Sequence, residues 1–472
     1  MISLPVRLAH LAFDWRRFAP IAILGLSFAL YFFVFGHRAF QPRVLGLDFV
    51  AFYCAGEVAN EGRDPYLVDP LRSCEHRVGR SLRSGSVLVL PAPLPAYDIA
   101  VFRIFARVPF PVALGIWTFA LFLSMLWCVA LLRRATGFRP SLVWAVFGLS
   151  LGYVSLSLGQ VAPLSILGLL LLARAVAVDS PYYAALGFCL ASTEPHLALP
   201  GILACLVVGR RSTRFGLALG CVIALGFSFF ALPFGEIVEY FTAVLPAHAL
   251  SEINNREQFS LSYYLHLAGL SEVVSVKTAE LAYACMVLFG VLLSRRFARM
   301  YGPEMAVLGA TTFGLAFGPF LHVTQVAAAV PAALLGFARS GRRLFGWSAW
   351  FSAVPWISFA PLVVVAPLVI VVMGYVGSRL CGLRSSIGVA LGCLGLVGCL
   401  FAADLLGSEP ARRLSNFSTR PSDLSEVVWR RAVDFSDVGR DFMFGVAKLP
   451  GHLGIAFVIV SLLRRRVSGV ER

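Results

Sequence analysis

The stretch at residues 111–132, PVALGIWTFALFLSMLWCVALL, contains no charged residue and is followed at once by Arg133 and Arg134. At about 1.5 Å per helical residue it covers about 33 Å, which matches a hydrocarbon core about 30 Å thick. It therefore predicts a membrane-spanning helix with a pair of arginines at one end.

Similar apolar stretches recur along the chain. Of its 472 residues, 58% are hydrophobic and only 14% are charged, and the mean hydropathy is +0.81. This composition excludes a soluble enzyme and predicts an all-α polytopic membrane protein with about 12 to 14 transmembrane helices and additional interfacial helices on the outer face. The predicted spans are 19–36, 111–132, 141–157, 161–174, 183–194, 197–209, 215–234, 278–294, 304–320, 322–338, 344–360, 361–378, 386–405 and 450–463.

The basic residues set the predicted orientation. The chain has 40 Lys and Arg against 25 Asp and Glu, and the arginines cluster at span ends rather than along one face. Such clustering follows the positive-inside rule and argues against a nucleic-acid partner. We therefore expect an integral protein of the bacterial inner (plasma) membrane with both termini in the cytoplasm.

The stretch 183–209 contains Pro195 and Pro200, which could kink one helix or separate two short ones. Only a hairpin of two helices keeps Arg210 on the cytoplasmic side. We therefore predict two helices here.

Polar residues gather on the outer side, in the segments 37–110, 235–277 and 406–449 and at three tight points between spans. These points are Gly159-Gln160, Glu194-Pro195-His196 and the stretch from His322 to Gln325. A transporter would place charges near the middle of its spans, where this chain has few. The distribution favours an enzyme that acts at the outer membrane surface.

Asp48 lies in the first outer segment, between apolar neighbours and before a helical pattern that runs to about Asn60 and ends at Gly62. One interpretation is a helix N-cap, whose side chain accepts backbone N–H bonds. The other is a general base, whose partial desolvation raises its basicity enough to take a proton from a hydroxyl. The residues alone leave both open.

Further along the first outer segment, the prolines between Val87 and Phe110 predict an extended segment and then a short interfacial helix, either a lipid-contacting flap or a structural connector. His196 and His322 each lie at an outer span end. The histidines share no metal-ligand spacing along the chain, so the sequence predicts no metal site and no cofactor. Cys54 and Cys74 both lie on the outer side, and whether they form a disulfide stays open.

Five motif-like segments follow one another along the chain: LDFVAFYCAG at 47–56 with Pro65-Tyr66, the proline-rich stretch 91–102, Gly159-Gln160, EPHL at 194–197 and PFLHVTQV at 319–326. In this order they resemble the motifs of glycosyltransferase family 87, the polyprenol-phosphate-mannose-dependent mannosyltransferases of the GT-C membrane fold. The resemblance covers roughly residues 45–340.

The resemblance implies an inverting transfer of a hexose, with mannose as the expected sugar, from a polyprenyl-phosphate donor to an outer-face glycan or glycolipid. It implies that Asp48 is the catalytic base. Phosphate or substrate contacts are expected from His322, His196, Arg256, Gln160, Tyr53, Tyr97, Glu194 and Gln325. A surface ion pair of Arg256 with Glu252 or Glu257 is an equal alternative. Membrane lipids are the other expected partners.

Two positions depart from the family motifs. Glu194 stands where the family usually has lysine, and Thr324-Gln325 stands where it usually has Tyr-Asp. These departures keep a non-catalytic, lipid-binding relative as an alternative, beside a lipid or solute transporter or flippase. We assign residues 1–378 to a GT-C-like core and 379–472 to additional transmembrane helices with an outer loop at 406–449.

Overall fold

The computed structural model describes residues 46–78, 89–147, 153–255, 257–353, 420–433 and 438–464. The predicted spans 19–36, 361–378 and 386–405 lie outside these ranges, as do parts of 141–157 and 344–360. Within the described ranges all regular secondary structure is helical, and extended pairing is limited to the isolated bridges between Leu67 and Leu424 and between Gln258 and His322.

We number the described helices in chain order. They are α1 Leu47–Asn60, α2 Val68–Arg77, α3 Ala96–Phe105, α4 Phe110–Thr136, α5 Pro140–Phe147, α6 Tyr153–Leu158, α7 Ala162–Val178, α8 Pro181–Ala191, α9 Pro195–Val208, α10 Arg211–Ala231, α11 Phe234–Glu239, α12 Leu245–Ser251, α13 Leu261–Leu267, α14 Glu272–Tyr301, α15 Glu304–Leu315, α16 Val323–Val326, α17 Val330–Ser340, α18 Arg343–Ala353, α19 Ser425–Val433 and α20 Val438–Leu463. A π-helical segment, Tyr240–Val244, joins α11 to α12, and a 3-10 turn, Ala327–Ala329, joins α16 to α17.

Several helices are long and apolar enough to cross a membrane. In the described ranges they are α4, α10, α14 and the continuous run Val323–Ser340, and α7, α8, α9 and α15 are shorter apolar helices. Large hydrophobic side chains on the long helices face outward: Phe119 is 60% exposed, Phe229 61% and Leu292 69%. Such exposure fits contact with lipid tails and confirms an all-α polytopic membrane protein.

The predicted hairpin is confirmed. Helix α8 ends at Ala191 and α9 begins at Pro195. Proline is accepted in the first turn of a helix because its missing N–H would have no partner there. Pro200 lies inside α9, so Pro195 marks the break and Pro200 does not.

The spanning helices in the described ranges have a cluster of arginines at one end and the predicted site residues at the other. At the first end, Arg342 donates to the carbonyl of Ser461 at 3.0 Å, and Arg339 lies 3.5 Å from Glu304. The other end carries the turns before α7, α9 and α16. Helix α7, with 17 residues, separates the two ends by about 25 Å. We call them the arginine end and the polar end.

Residues 46–78 and 89–105 form a packed layer at the polar end. A Cβ added at Gly56 would lie 2.3 Å from the carbonyl carbon of Phe102, so the backbones of α1 and α3 touch. Helix α3 follows an extended segment, as predicted. A disulfide joins Cys54 in α1 to Cys74 in α2, with a Cα–Cα distance of 5.5 Å, which answers the question that the sequence left open.

The described part of the outer loop 406–449 packs against this layer. The backbone N–H of Ser425 donates to Tyr66 at 2.9 Å, and the N–H of Val68 donates to Asp423 at 3.0 Å. Helix α19 continues from there and packs against α2 and α12. The loop therefore contributes side chains to the polar end.

Candidate active site

Asp48 is the second residue of α1 and does not cap it. Gly46 holds the N-cap position with φ of +73°, and no side chain makes a capping bond there. The N-cap interpretation of Asp48 is therefore wrong. The carboxylate instead lies in the first turn, where the positive end of the helix dipole favours a negative charge.

The turn at Gly159-Gln160 reaches Asp48 because of its glycine. Gly159 has φ of +78°, and a Cβ there would lie 2.8 Å from Cβ of Phe49. The indole Nε1–H of Trp117 donates to the Gly159 carbonyl at 2.8 Å and fixes the turn. The side chain of Gln160 is thereby held against Asp48 and hydrogen-bonds to it.

Thr324 determines how Gln160 faces Asp48. The Thr324 hydroxyl donates to Oε1 of Gln160 at 2.5 Å. Since that oxygen accepts from Thr324, the amide N–H of Gln160 is the group that donates to Asp48. We call Asp48, Gln160 and Thr324 the Asp48 chain. It joins α1, the 159–160 turn and α16.

The environment makes Asp48 unusually basic for a carboxylate. Its side chain is half-buried. Burial, with smaller contributions from the negative charges of Glu257 and Glu252, raises its pKa to about 7 against the lowering effect of the Gln160 hydrogen bond. A pKa near neutrality lets one group both accept and release a proton at physiological pH.

Glu194, His196 and Gln325 meet beside this chain. Nε2 of Gln325 donates to Oε2 of Glu194 at 2.6 Å, and Nε2 of His196 lies 3.7 Å from the same oxygen. The backbone N–H of His322 donates to Oε1 of Gln325 at 2.8 Å, which fixes the orientation of the amide. Burial is the main reason why the pKa of Glu194 rises to about 7, and Asp48 is one of the charges that add to it.

His322 contacts a second group of side chains through Gln258. The amide oxygen of Gln258 accepts from the backbone N–H of Leu321 at 2.8 Å, so its nitrogen faces the other way. That nitrogen donates to Oε2 of Glu252 at 2.9 Å and lies 3.1 Å from Nε2 of His322. Nε2 of His322 is therefore the acceptor in that contact.

Glu252 is buried and held on both oxygens. The indole N–H of Trp429 donates to Oε1 at 2.5 Å, and Nδ2 of Asn255 donates to Oε2 at 2.6 Å. Burial alone would favour the neutral carboxyl. The nearby imidazoles of His322 and His248 and the hydrogen bonds from Gln258 and Asn255 outweigh burial and lower the pKa of Glu252, which therefore stays ionised.

His248, at the end of α12, is buried beside Glu426 of α19. Its Nδ1 lies 3.2 Å from Oε2 of Glu426, which also accepts from the Ser251 hydroxyl at 3.2 Å. The donor atoms of His248, Glu252 and His322 all lie within 4.8 Å of one another. We call these three residues the His248–Glu252–His322 triad.

The comparison with protein families can now be stated. Residues 95–319 match glycosyltransferase family 87. The family resemblance read from the motifs is confirmed over this segment, and it supports a membrane glycosyltransferase. No curated protein and no solved structure shows significant similarity to the chain.

The segment matched to family 87 contains only part of the polar end. Gln160, Glu194 and His196 lie inside it, whereas Asp48 and Gln325 lie outside it. The fold joins the two sets, because Gln160 contacts Asp48 and Glu194 contacts Gln325.

Two other predicted site residues, Tyr53 and Tyr97, do not join these contacts. The Tyr53 hydroxyl donates to the carbonyl of Val108 at 3.0 Å, within an aromatic cluster behind Asp48. The Tyr97 hydroxyl donates to the carbonyl of Ser192 at 2.6 Å and so lies beside the turn that carries Glu194. Arg256 lies outside the described residues.

Sequence reasoning missed His248, Glu426 and Trp429, and considered Glu252 only as an ion-pair partner. The four-residue spacing of His248 and Glu252 was a usable signal, because residues four apart share a helix face. No sequence signal pairs these residues with Glu426, which is 178 positions from His248.

Proposed function

We propose that this protein transfers a hexose, with mannose as the expected sugar, from a polyprenyl-phosphate donor to a hydroxyl of an outer-face glycan or glycolipid. Asp48 acts as the general base. The observation that carries the proposal is the half-buried Asp48, oriented by Gln160 and poised by its surroundings at a pKa of about 7. This is the arrangement that proton removal from a sugar hydroxyl requires.

The reaction is a single displacement. Asp48 takes the proton of the acceptor hydroxyl, whose oxygen attacks the anomeric carbon of the donor sugar. The bond between that carbon and the phosphate oxygen breaks, and the lipid phosphate leaves with the electron pair. Attack from the face opposite the leaving group inverts the anomeric configuration. Most of the rate enhancement would come from positioning and charge stabilisation.

The donor phosphate has candidate partners near Gln325. His322 is partly exposed, and His196 lies close to Glu194. Together with Arg256 of the neighbouring loop, these are the groups that we assign to the phosphate. We assign Tyr97 and Glu194 to contacts with the sugar.

The two departures from the family motifs contact each other. Glu194 replaces a lysine and Gln325 replaces an aspartate, and their side chains are hydrogen-bonded at 2.6 Å. A lysine–aspartate ion pair at these positions would satisfy the same contact. We infer that the departures compensate for each other and that the site stays intact, which favours an active enzyme over a non-catalytic relative.

The membrane setting suits a lipid-linked donor. The isoprenoid chain would lie against the exposed apolar faces of the long helices, with its phosphate at the polar end. The Cys54–Cys74 disulfide and the arginine clusters support a polar end that faces the periplasm or cell exterior, because disulfides persist in oxidising compartments.

Transfer activity in proteoliposomes tests the assignment of Asp48. With polyprenyl-phosphate-mannose and a membrane glycolipid extract, Asp48→Asn and Asp48→Ala should lower the rate about 100-fold or more. Asp69→Asn is the matched control, because Asp69 is an exposed aspartate in the first turn of the adjacent α2. It should keep wild-type activity. Full activity in both Asp48 variants would exclude this residue as the base.

A further inference from the structure

We propose that the His248–Glu252–His322 triad binds a divalent transition-metal ion of the Zn²⁺ type. Two imidazole nitrogens and one carboxylate oxygen form a ligand set that zinc uses in sites with an open fourth position. His248 lies in α12, Glu252 directly follows that helix, and His322 directly precedes α16. The fold alone brings them together.

The spacing of the donor atoms fits such an ion. Nε2 of His322 lies 3.7 Å from Oε2 of Glu252. Two ligands bound at about 2.1 Å in tetrahedral geometry would lie about 3.4 Å apart. All three donor atoms are within 4.8 Å of one another, so small side-chain movements bring them to coordination distance.

The residues around the triad are arranged like the outer shell of a metal site. Nδ1 of His248 is engaged with the Glu426 carboxylate, which leaves Nε2 for an ion. Metal-binding histidines commonly donate their second nitrogen to a carboxylate in this way, which fixes the ring and increases its basicity. Trp429 orients Glu252 from the same helix, α19.

Access to the site is through His322. Its side chain is 22% exposed, whereas that of Glu252 is 4% exposed. The amide nitrogen of Gln258 now bridges Glu252 and His322, so an ion would replace those two contacts. His322 is thus the more exposed ligand of this pair.

If the proposed transfer reaction holds, the ion has a catalytic use. His322 is two positions from Thr324, whose hydroxyl binds Gln160 of the Asp48 chain, so the ion would lie near the reacting groups. A divalent charge would stabilise the departing lipid phosphate among several carboxylates. This role depends on the proposed function, whereas ion binding itself does not.

Metal content of the purified full-length protein tests the site. After incubation with Zn²⁺ and dialysis, elemental analysis should give about one ion per wild-type chain. Co²⁺ should give the visible absorption bands of a tetrahedral site. His322→Ala should lose the ion and the bands. His266→Ala, in the adjacent α13 and outside the triad, should keep both.

A milder variant protects the test against misfolding. Glu426→Gln keeps a hydrogen-bonding partner for His248, and should weaken Zn²⁺ affinity about 10- to 100-fold while the protein stays monodisperse with an unchanged melting temperature. A wild-type protein that takes up no Zn²⁺, Co²⁺ or Mn²⁺, or a His322→Ala variant that binds like wild type, would overturn the site.

The two proposals fail separately. Stoichiometric Zn²⁺ with no glycosyl transfer would leave the metal site standing and remove the proposed function. Full transfer by protein stripped with a chelator would leave Asp48 catalysis standing and overturn the catalytic use of the ion.

Discussion

The Asp48 chain and the His248–Glu252–His322 triad each include one residue of the stretch 322–325 and are built differently. The first holds one carboxylate by neutral amide and hydroxyl groups, which leaves its pKa near neutrality. The second sets an ionised carboxylate between imidazoles. The difference indicates two tasks at the polar end: the Asp48 chain is suited to moving a proton, and the triad to holding a charge.

The largest expected effect is that different mutations remove glycosyl transfer and ion binding separately. Asp48→Asn should lower the transfer rate by about 100- to 10,000-fold. It should leave Zn²⁺ affinity unchanged, because the Asp48 side chain lies outside the triad. His322→Ala should remove Zn²⁺ binding. Rates in proteoliposomes and calorimetric titration of the same preparations measure both. Loss of Zn²⁺ binding in Asp48→Asn would show that the two groups are one site.

An exchange of the contact between Glu194 and Gln325 comes next. Glu194→Lys alone places a cation against an amide and should lower transfer about tenfold, with a loss of about 1–3 kcal/mol in stability. Adding Gln325→Asp creates an ion pair and should recover most of both losses. A double-mutant cycle measures the coupling. Additive effects of the two changes would contradict our account of the departures.

The smallest effect concerns the pH dependence of transfer. The rate should rise with pH through about 7, as Asp48 loses its proton. Gln160→Leu removes the hydrogen bond that lowers the Asp48 pKa, so the midpoint should move to higher pH. Rates between pH 5 and 9 test this. A midpoint that moves to lower pH would contradict the assigned donor direction.

The same shift has a consequence for stability. The folded-state pKa of Asp48, about 7, lies above its unfolded value of about 3.8. The contribution of Asp48 to stability is therefore fully present below about pH 3.8 and is lost as the pH rises through about 7. Asp48→Asn should therefore stabilise the protein more at pH 8 than at pH 5. Melting temperatures in detergent at the two pH values measure this, with Asp69→Asn as the control.

Much of the fold could be predicted from the sequence. Apolar length identified the long spans, and proline at the first helical position identified the break before α9. The motifs at Gly159-Gln160 and Glu194 were expected at one membrane face, and the fold places both at the polar end. These features depend on local composition and on the alternation of span direction, which a sequence carries directly.

The triad could not be predicted in the same way. Hydropathy gives the length of a helix and not its rotation about its own axis, so it does not say which side chains of distant helices meet. Glu426 reaches His248 because the backbone near Ser425 pairs with residue 66. Whether Asp48 caps α1 also could not be decided from the neighbouring residues, since Gly46 occupies the N-cap position with a positive φ.

The Cys54–Cys74 disulfide connects the helices that support the Asp48 chain and the His248–Glu252–His322 triad. Asp48 lies in the first turn of α1, and the N-terminal end of α2 pairs with the segment that leads to Glu426 and Trp429. A chain produced in a host without thiol-oxidising enzymes at the membrane exterior could insert with all its spans and still have a loosened polar end. The choice of expression host would then determine the specific activity of purified material more than its yield.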